Sequence, residues 1–290
     1  MRYATVGLIG KASHQATHTS ISALIIELKK RDCKILVETR IAQSMNDDVN
    51  SASLTEIGEQ ADLAIVVGGD GNMLGAARVL AEYEIDVVGV NRGNLGFLTD
   101  INPEDISSQL EHIFNNKVYR EKRFILEAQV FKDDKLQQSH SAINEVVLHH
   151  SKVAHMMEFE LYVGSDFVFS QRSDGLIIAT PTGSTAYSLS GGGPILVPHL
   201  DALTLVPMFP HTLSNRPVVV DANSEITLKI SKKNTDSVQI SCDSHVVIAV
   251  EPGDYVKIRK NKKHLTLVHP PDYNYFNVLR TKLKWGSKLY

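Results

Sequence analysis

Two rhythms of apolar residues alternate along the first 117 positions of the chain. Short β-rich runs at residues 3–9, Lys34–Glu38, 63–67 and 86–90 predict strands. Stretches with helical spacing lie among them. In residues 19–30, Ile21, Leu24, Ile25 and Leu28 recur at i, i+3, i+4 and i+7, which marks one face of a helix. Residues 72–81 read as a second helix. A third starts after Asn102, with Pro103 at its first position and Glu104 and Asp105 in its first turn, and runs to about Phe114. Strands alternating with helices imply a parallel sheet covered on its faces, so an α/β, Rossmann-like domain is expected over residues 1–117.

Beyond that point helical spacing nearly vanishes. Strand-like runs follow at 123–132, 141–148, 156–163, 166–170, 216–220, 225–230, 237–242, Val246–Val250 and 255–259. Asp133-Asp134, Gly164-Ser165 and Pro252-Gly253 have turn chemistry. Many short strands at close spacing predict a mostly β, sandwich-like domain over residues 118–267. The tail, 268–290, is expected to pack back on the first domain. It is helix-compatible from Phe276 onward, with Lys282, Lys284 and Lys288 on a solvated face.

Composition narrows the function classes. The chain has 290 residues, amply enough for a sizeable core. A formal net charge of −3 provides no nucleic-acid footprint. No apolar run approaches the ~20 residues that span a bilayer. The N-terminal run reads as a buried strand rather than a signal peptide. Cys33 and Cys242 lie far apart and offer neither a disulfide framework nor metal spacing, as expected of thiols in a reducing cytoplasm.

Candidate chemistry concentrates in two places. The apolar run 61–67 breaks into Gly68-Gly69-Asp70-Gly71-Asn72 and then opens a helix. A strand that ends in glycine before a helix brings backbone N–H groups up to phosphates. Asp70 would repel a phosphate unless a metal, or a hydroxyl to be deprotonated, lies between them. The P-loop pattern is absent. Gly69, Gly71 and Gly75 approximate a dinucleotide fingerprint, but on what reads as the third strand. A tight turn in which Asp70 caps the following helix is an equal reading of this run alone. The second place is residues 173–194, SDGLIIATPTGSTAYSLSGGGP, where hydroxyls and glycines offer many neutral donors suited to sugars, phosphates or a purine edge.

Together these runs resemble the NAD kinase family, in its bacterial short form. The matching pieces are GGDGNML at 68–74, NRGNLGFLTD at 91–100, Asn144-Glu145, and the run at 173–194, in the family's order and spacing. The resemblance implies phosphoryl transfer from ATP, or from polyphosphate in some members, to the 2′-hydroxyl of the adenosine ribose of NAD. It further implies a divalent cation such as Mg²⁺ and a cytoplasmic homo-oligomer, a dimer or tetramer. Asp70 would be the general base and, with Gly71, would also contact NAD. Gly68, Gly69, Gly71 and Asn72 would hold phosphates. Asn144 and Glu145 would bond the nucleotide, Asp174 and Arg172 would lie at the nicotinamide end, and Thr182, Thr185, Ala186, Tyr187 and Ser190 would line the adenine side. His155 falls where the family places a nucleotide contact from a neighbouring subunit. His245 stands where many members have Gln, and Gly75 where some have a charged residue. Three other readings remain open: an oxidoreductase built on the loose fingerprint, a lipid or sphingoid-base kinase sharing the GGDG loop, and a non-catalytic nucleotide sensor. The polar loop at 182–190 suits the extended apolar cleft of a lipid kinase poorly.

Overall fold

The computed structural model describes residues 3–45, 49–93, 96–150, 152, 155–212 and 214–286. Lys288, and Asn94 and Leu95 of the second glycine motif, lie outside these. The chain divides into two compact units, residues up to Lys122 together with those from Lys263 onward, and Arg123–Lys262.

The first unit runs β1 (Thr5–Gly10), α1 (Gln15–Lys29), β2 (Lys34–Glu38), α2 (Thr39–Ala42), β3 (Ser51–Ala52), α3 (Leu54–Gln60), β4 (Leu63–Gly68), α4 (Asp70–Leu80), β5 (Asp86–Asn91) and α5 (Ile106–Phe114). Its strands pair in parallel in the order β3-β2-β1-β4-β5, and a returning segment at Thr266 and Leu267 adds a sixth place beside β5. This is the strand order of a doubly wound, dinucleotide-binding sheet. All six residues of β4 are buried, as expected for a strand covered on both faces. Ile21, Leu24, Ile25 and Leu28 of α1 are buried, so the helical spacing identifies the packed face. Met73, Ala76, Ala77 and Leu80 of α4 repeat the pattern.

Two features of this unit escape the apolar pattern. The strand β3 is only two residues long. The helix α3 carries a short apolar stripe, and its signal lies instead in a capping box: Ser53 accepts from the N–H of Glu56, and the Glu56 carboxylate accepts from the N–H of Ser53. Counting β3, the glycine turn follows the fourth strand rather than the third. Pairing places that strand directly beside β1.

The second unit contains two antiparallel sheets. One takes β6 (Tyr119–Lys132) from residue 123 onward, β7 (Lys135–Ala142), β9 (Met157–Val163), β10 (Asp166–Ser173), β14 (Ile226–Ile230) and the first half of β17 (Tyr255–His269). The other has the order β13-β12-β11-β8-β15-β16, formed by β8 (Glu145–His150), β11 (Gly175–Ala179), β12 (Ala202–Met208), β13 (Val218–Asp221), β15 (Val238–Cys242) and β16 (Val246–Val250). Inward residues of both sheets, among them Leu148, Phe159, Leu161, Ile178, Leu228 and Ile240, form one core cluster. The alternate residues Val147, Ile177 and Ala179 pack on the other face of the second sheet. The mostly β, sandwich-like expectation therefore stands. The short helix α6 (Tyr187–Ser190) sits in the second polar run, and α7 (Tyr275–Leu283) belongs to the first unit.

One predicted strand is two. The run 141–148 breaks between Ala142 and Glu145 because the N–H groups of Ile143, Asn144 and Glu145 all donate to the Asp243 carboxylate, at 2.9, 2.7 and 3.2 Å. Strand β12 contains Pro207 and was not foreseen from the pattern. Among the described residues, no helix is long and apolar enough to cross a membrane.

Candidate functional site

Strand order in the first unit reverses between β1 and β4, and ligands of doubly wound sheets bind outside the carboxyl ends of the strands at such a reversal. A cleft of about 530 Å³ lies there, lined by Lys11 and residues 13–17 after β1, by Gly68, Gly69, Gly71 and Asn72 after β4, and by Arg92 after β5. The first turns of α1 and α4 both reach this cleft, and neither helix start is capped by a side chain. Uncapped N–H groups and two converging helix dipoles favour an anion. Lys11 and Arg92 add positive charge. Arg92 is held in place by donating Nε–H to the Ser20 hydroxyl on α1 at 2.7 Å. Gly68 has φ +156°, and a Cβ there would collide with the Asn72 side chain, so the turn requires glycine. Gly69 and Gly71 have open space above them, which leaves their backbone approachable.

Asp70 does not cap α4. Its carboxylate instead accepts from the N–H groups of Phe97 (2.9 Å) and Leu98 (3.0 Å), in the loop after β5, and from the Lys282 ammonium at 2.9 Å. A side chain at Gly96 would collide with this carboxylate and with the Thr99 hydroxyl, which accounts for glycine at that place in the second motif. Lys282 is therefore not simply part of a solvated face. Its ammonium also lies 4.3 Å from the centre of the Phe97 ring. Motif reading missed Lys11 and Lys282, and gave no role to Arg92 although it lies within a matched motif. The signal available for Lys11 was its place in the first turn of an α/β sheet. Lys282 carried no local signal.

In the second unit the hydroxyl-rich run is largely self-bonded. Thr180 Oγ1 donates to the Ile143 carbonyl (2.6 Å) and accepts from Gly183 N–H (3.1 Å). Ser184 Oγ donates to the Pro181 carbonyl (2.7 Å) and accepts from Leu196 N–H (2.9 Å). Thr185 Oγ1 donates to the Thr182 carbonyl, and Thr182 Oγ1 accepts from Arg123 at 3.2 Å. Ala186 closes the 3₁₀ turn by donating to Gly183 at 2.9 Å. A Cβ at Gly183 would strike the Asn144 backbone, so this loop is seated on the Asn144-Glu145 corner.

That corner is organised by Asp243, whose three accepted N–H groups fix Ile143, Asn144 and Glu145 in place. Asp243 and Ser244, in the three-residue turn between β15 and β16, have φ of 48° and 57°. Glu145 is buried, and among the described residues its Oε2 has no hydrogen-bond partner. Burial, reinforced by the Asp243 charge, pushes its carboxyl up to about 8. At neutral pH Glu145 is thus mainly protonated and can donate as well as accept.

Three clefts open nearby in the same unit. One of about 470 Å³ brings together His149, His155, Asp174, Tyr187, Phe209 and Ser244. A second, of about 340 Å³, is lined by Arg172 with His155 and Asp236. A third, of about 450 Å³, has Tyr187 and Ser190 on its wall. Asn144, Glu145, Thr182, Thr185, Ala186 and His245 do not line these clefts. The His245 ring instead bonds the Asp243 carbonyl through Nδ1 at 2.6 Å.

The donor atoms of His150, His155 and Asp236 lie within 4.8 Å of one another. His150 Nδ1 accepts the Lys152 N–H at 3.0 Å, so the neutral ring carries its proton on Nε2, the atom that faces Asp236. Lys152 itself donates to both Asp236 oxygens at 3.2 Å. This trio is a charge-paired rim, ill suited to a divalent ion.

Fold and site together define a two-unit, nucleotide-binding α/β-plus-β protein. Residues 6–118 match the ATP-NAD kinase N-terminal domain, and residues 143–270 match the ATP-NAD kinase C-terminal domain. The chain is 59% identical over 290 residues to the NAD kinase of Pseudoalteromonas translucida, covering 99% of each. It is 58% identical over 289 residues to that of Colwellia psychrerythraea, again covering 99% of each. It belongs to the NAD kinase family. Among solved structures, the fold matches yeast NADH kinase complexed with NADH at TM-score 0.91 and 23% identity, over 100% of this chain and 90% of that one. It also matches an NAD kinase from Archaeoglobus fulgidus in complex with ATP, at TM-score 0.72 and 23% identity, over 96% and 98%.

Proposed function

We propose that this chain is an NAD kinase, transferring the γ-phosphoryl group of ATP to the 2′-hydroxyl of the adenosine ribose of NAD and releasing NADP and ADP. The observation that carries this reading is the anion cleft at the reversal of the first sheet, with Asp70 on the turn between two of its lining glycines, Gly69 and Gly71. A dehydrogenase fingerprint has no use for a charged Asp70 beside a pyrophosphate. A kinase does, because an acceptor hydroxyl needs a hydrogen-bond acceptor to orient it and finally to take its proton.

The cleft residues Lys11, Gly68, Gly69, Gly71, Asn72 and Arg92 would hold the triphosphate, with the two helix starts supplying N–H groups. Phosphoryl transfer asks mainly for positioning and charge neutralisation. The ribose oxygen attacks the γ-phosphorus, the bond to the β,γ-bridging oxygen breaks, and the hydroxyl proton passes to Asp70. In a loose transition state that proton leaves late, so a weak base suffices. Mg²⁺ belongs to the same proposal. The cleft offers the neutral oxygens of Ser13 and Asn72, while Asp70 is occupied by Lys282 and two N–H groups, so the donor set fits a metal carried in mostly on the phosphates. Bound there, Mg²⁺ would offset phosphate charge.

NAD would be held by the Asn144-Glu145 corner, with the protonated Glu145 donating, and by Asp174, Arg172, Thr182, Thr185, Ala186, Tyr187 and Ser190. His155, which lines two of the clefts, and His245 belong to the same proposed set. A cytoplasmic homo-oligomer, a dimer or tetramer, completes the reading. Light scattering on the purified protein would measure that assembly. Polyphosphate is an alternative donor compatible with the same cleft. The deciding experiment incubates the protein with NAD, ATP and Mg²⁺ and measures NADP. Formation of NADP is expected, and its absence would overturn the reading.

A further inference from the structure

The mechanism so far leaves one charged group without a task. Lys282 lies on α7, 212 positions from Asp70 in sequence, yet its ammonium meets Asp70 Oδ2 at 2.9 Å. The helix that delivers it is firmly built. Asn274 caps it by accepting the N–H of Asn277 at 3.0 Å, and Val278 and Leu279 are buried against the unit. The ammonium is held from a second side by the Phe97 ring, and the N–H of Phe97 binds the same carboxylate oxygen.

An ionised carboxylate has about four acceptor sites. At Asp70, Oδ2 accepts from Phe97 and Lys282, and Oδ1 accepts from Leu98. One acceptor site therefore remains among the described residues, on a carboxylate held by three donors. Loop groups facing the carboxylate, at Gly96, Phe97, Leu98 and Thr99, carry no charge. Lys11, His14 and Arg92 line the adjoining cleft. Lys282 is the cation paired directly with Asp70.

We propose that Lys282 is a positioning residue for phosphoryl transfer: it acts through Asp70, holding that carboxylate so that its remaining acceptor site can take the ribose hydroxyl. This rests on the kinase reading of the preceding section. A lysine that only anchored the tail would affect stability and leave the chemistry of Asp70 unchanged. A lysine that acts through Asp70 has no further effect once that carboxylate is gone.

The test compares Lys282→Met, Lys282→Arg, Asp70→Asn and the Lys282→Met/Asp70→Asn double variant, all in the full chain, with circular dichroism to check folding. Lys282→Met should lower kcat about tenfold or more while KM for NAD and ATP changes by less than about twofold. Lys282→Arg should recover part of the rate. The double variant should be no slower than Asp70→Asn. A kcat within about twofold of the parent, a KM that rises in step with the loss of kcat, or a further loss in the double variant would overturn the proposal. Failure of the parent protein to make NADP would instead overturn the kinase reading, so the two failures are distinguishable.

Discussion

Asp70 and Glu145 show how much a side chain's surroundings determine what it can do. Asp70 accepts from three donors, so replacing it by Asn should keep the fold and lose about a hundredfold or more in turnover. Unchanged melting with near-normal NADP formation would remove its catalytic role. Glu145 is the opposite case, a carboxyl held neutral by burial. Its folded form keeps a proton up to about 8, against 4.5 when unperturbed. Between those values the folded state binds more protons than the unfolded state. Stability therefore falls as pH rises through that window and levels off above it. Glu145→Gln should flatten this slope, seen as a smaller loss of denaturation midpoint between about pH 5 and about pH 9 than in the parent. Sequence reading found both residues. It could not find their environments, because Asp70 is bonded by residues 97, 98 and 282 and Glu145 faces residue 243, all distant along the chain.

Among secondary-structure elements, the legible ones are those with a strong period. The apolar stripe of α1 and the continuous apolar run of β4 mark their own burial. The elements missed had other causes. Helix α3 is specified chiefly by its capping box, and strand β3 exists through pairing with β2 rather than through its own pattern. The break before β8 is imposed by Asp243 from a hundred residues away, which no local rule anticipates. The same limit applied to the phosphate cleft. The glycine turn was visible, but its companion, the start of α1, became visible only once β1 and β4 were seen as neighbours. That pairing predicts a separable effect. Lys11→Met, at the start of the α1 side, should raise KM for ATP about tenfold and leave KM for NAD within about twofold, measured by steady-state kinetics with each substrate varied in turn.

For the molecule as a whole, the change from alternating to purely β rhythm was legible because each unit has its own core, built on a different period. Asp70 is proposed to act in the chemical step, so ligand binding and turnover are separable by mutation. NAD alone, without ATP, should raise the melting temperature of the parent protein. At about 100 times its Kd the stabilisation is about 2.7 kcal/mol. Asp70→Asn should retain most of that shift while making no NADP, and a variant that lost both together would place Asp70 in binding rather than in the chemical step.

The pairing of Asp70 with Lys282 also has a consequence in time. A ribosome adds about 5–20 residues each second. The 212 positions between the two residues therefore correspond to roughly 10–40 s of synthesis. Throughout that interval a nascent chain carries the glycine turn and its carboxylate but not the lysine that steadies it. Helix α7 emerges only after the whole second unit, so a nascent chain holds a phosphate cradle whose acidic group still lacks its lysine.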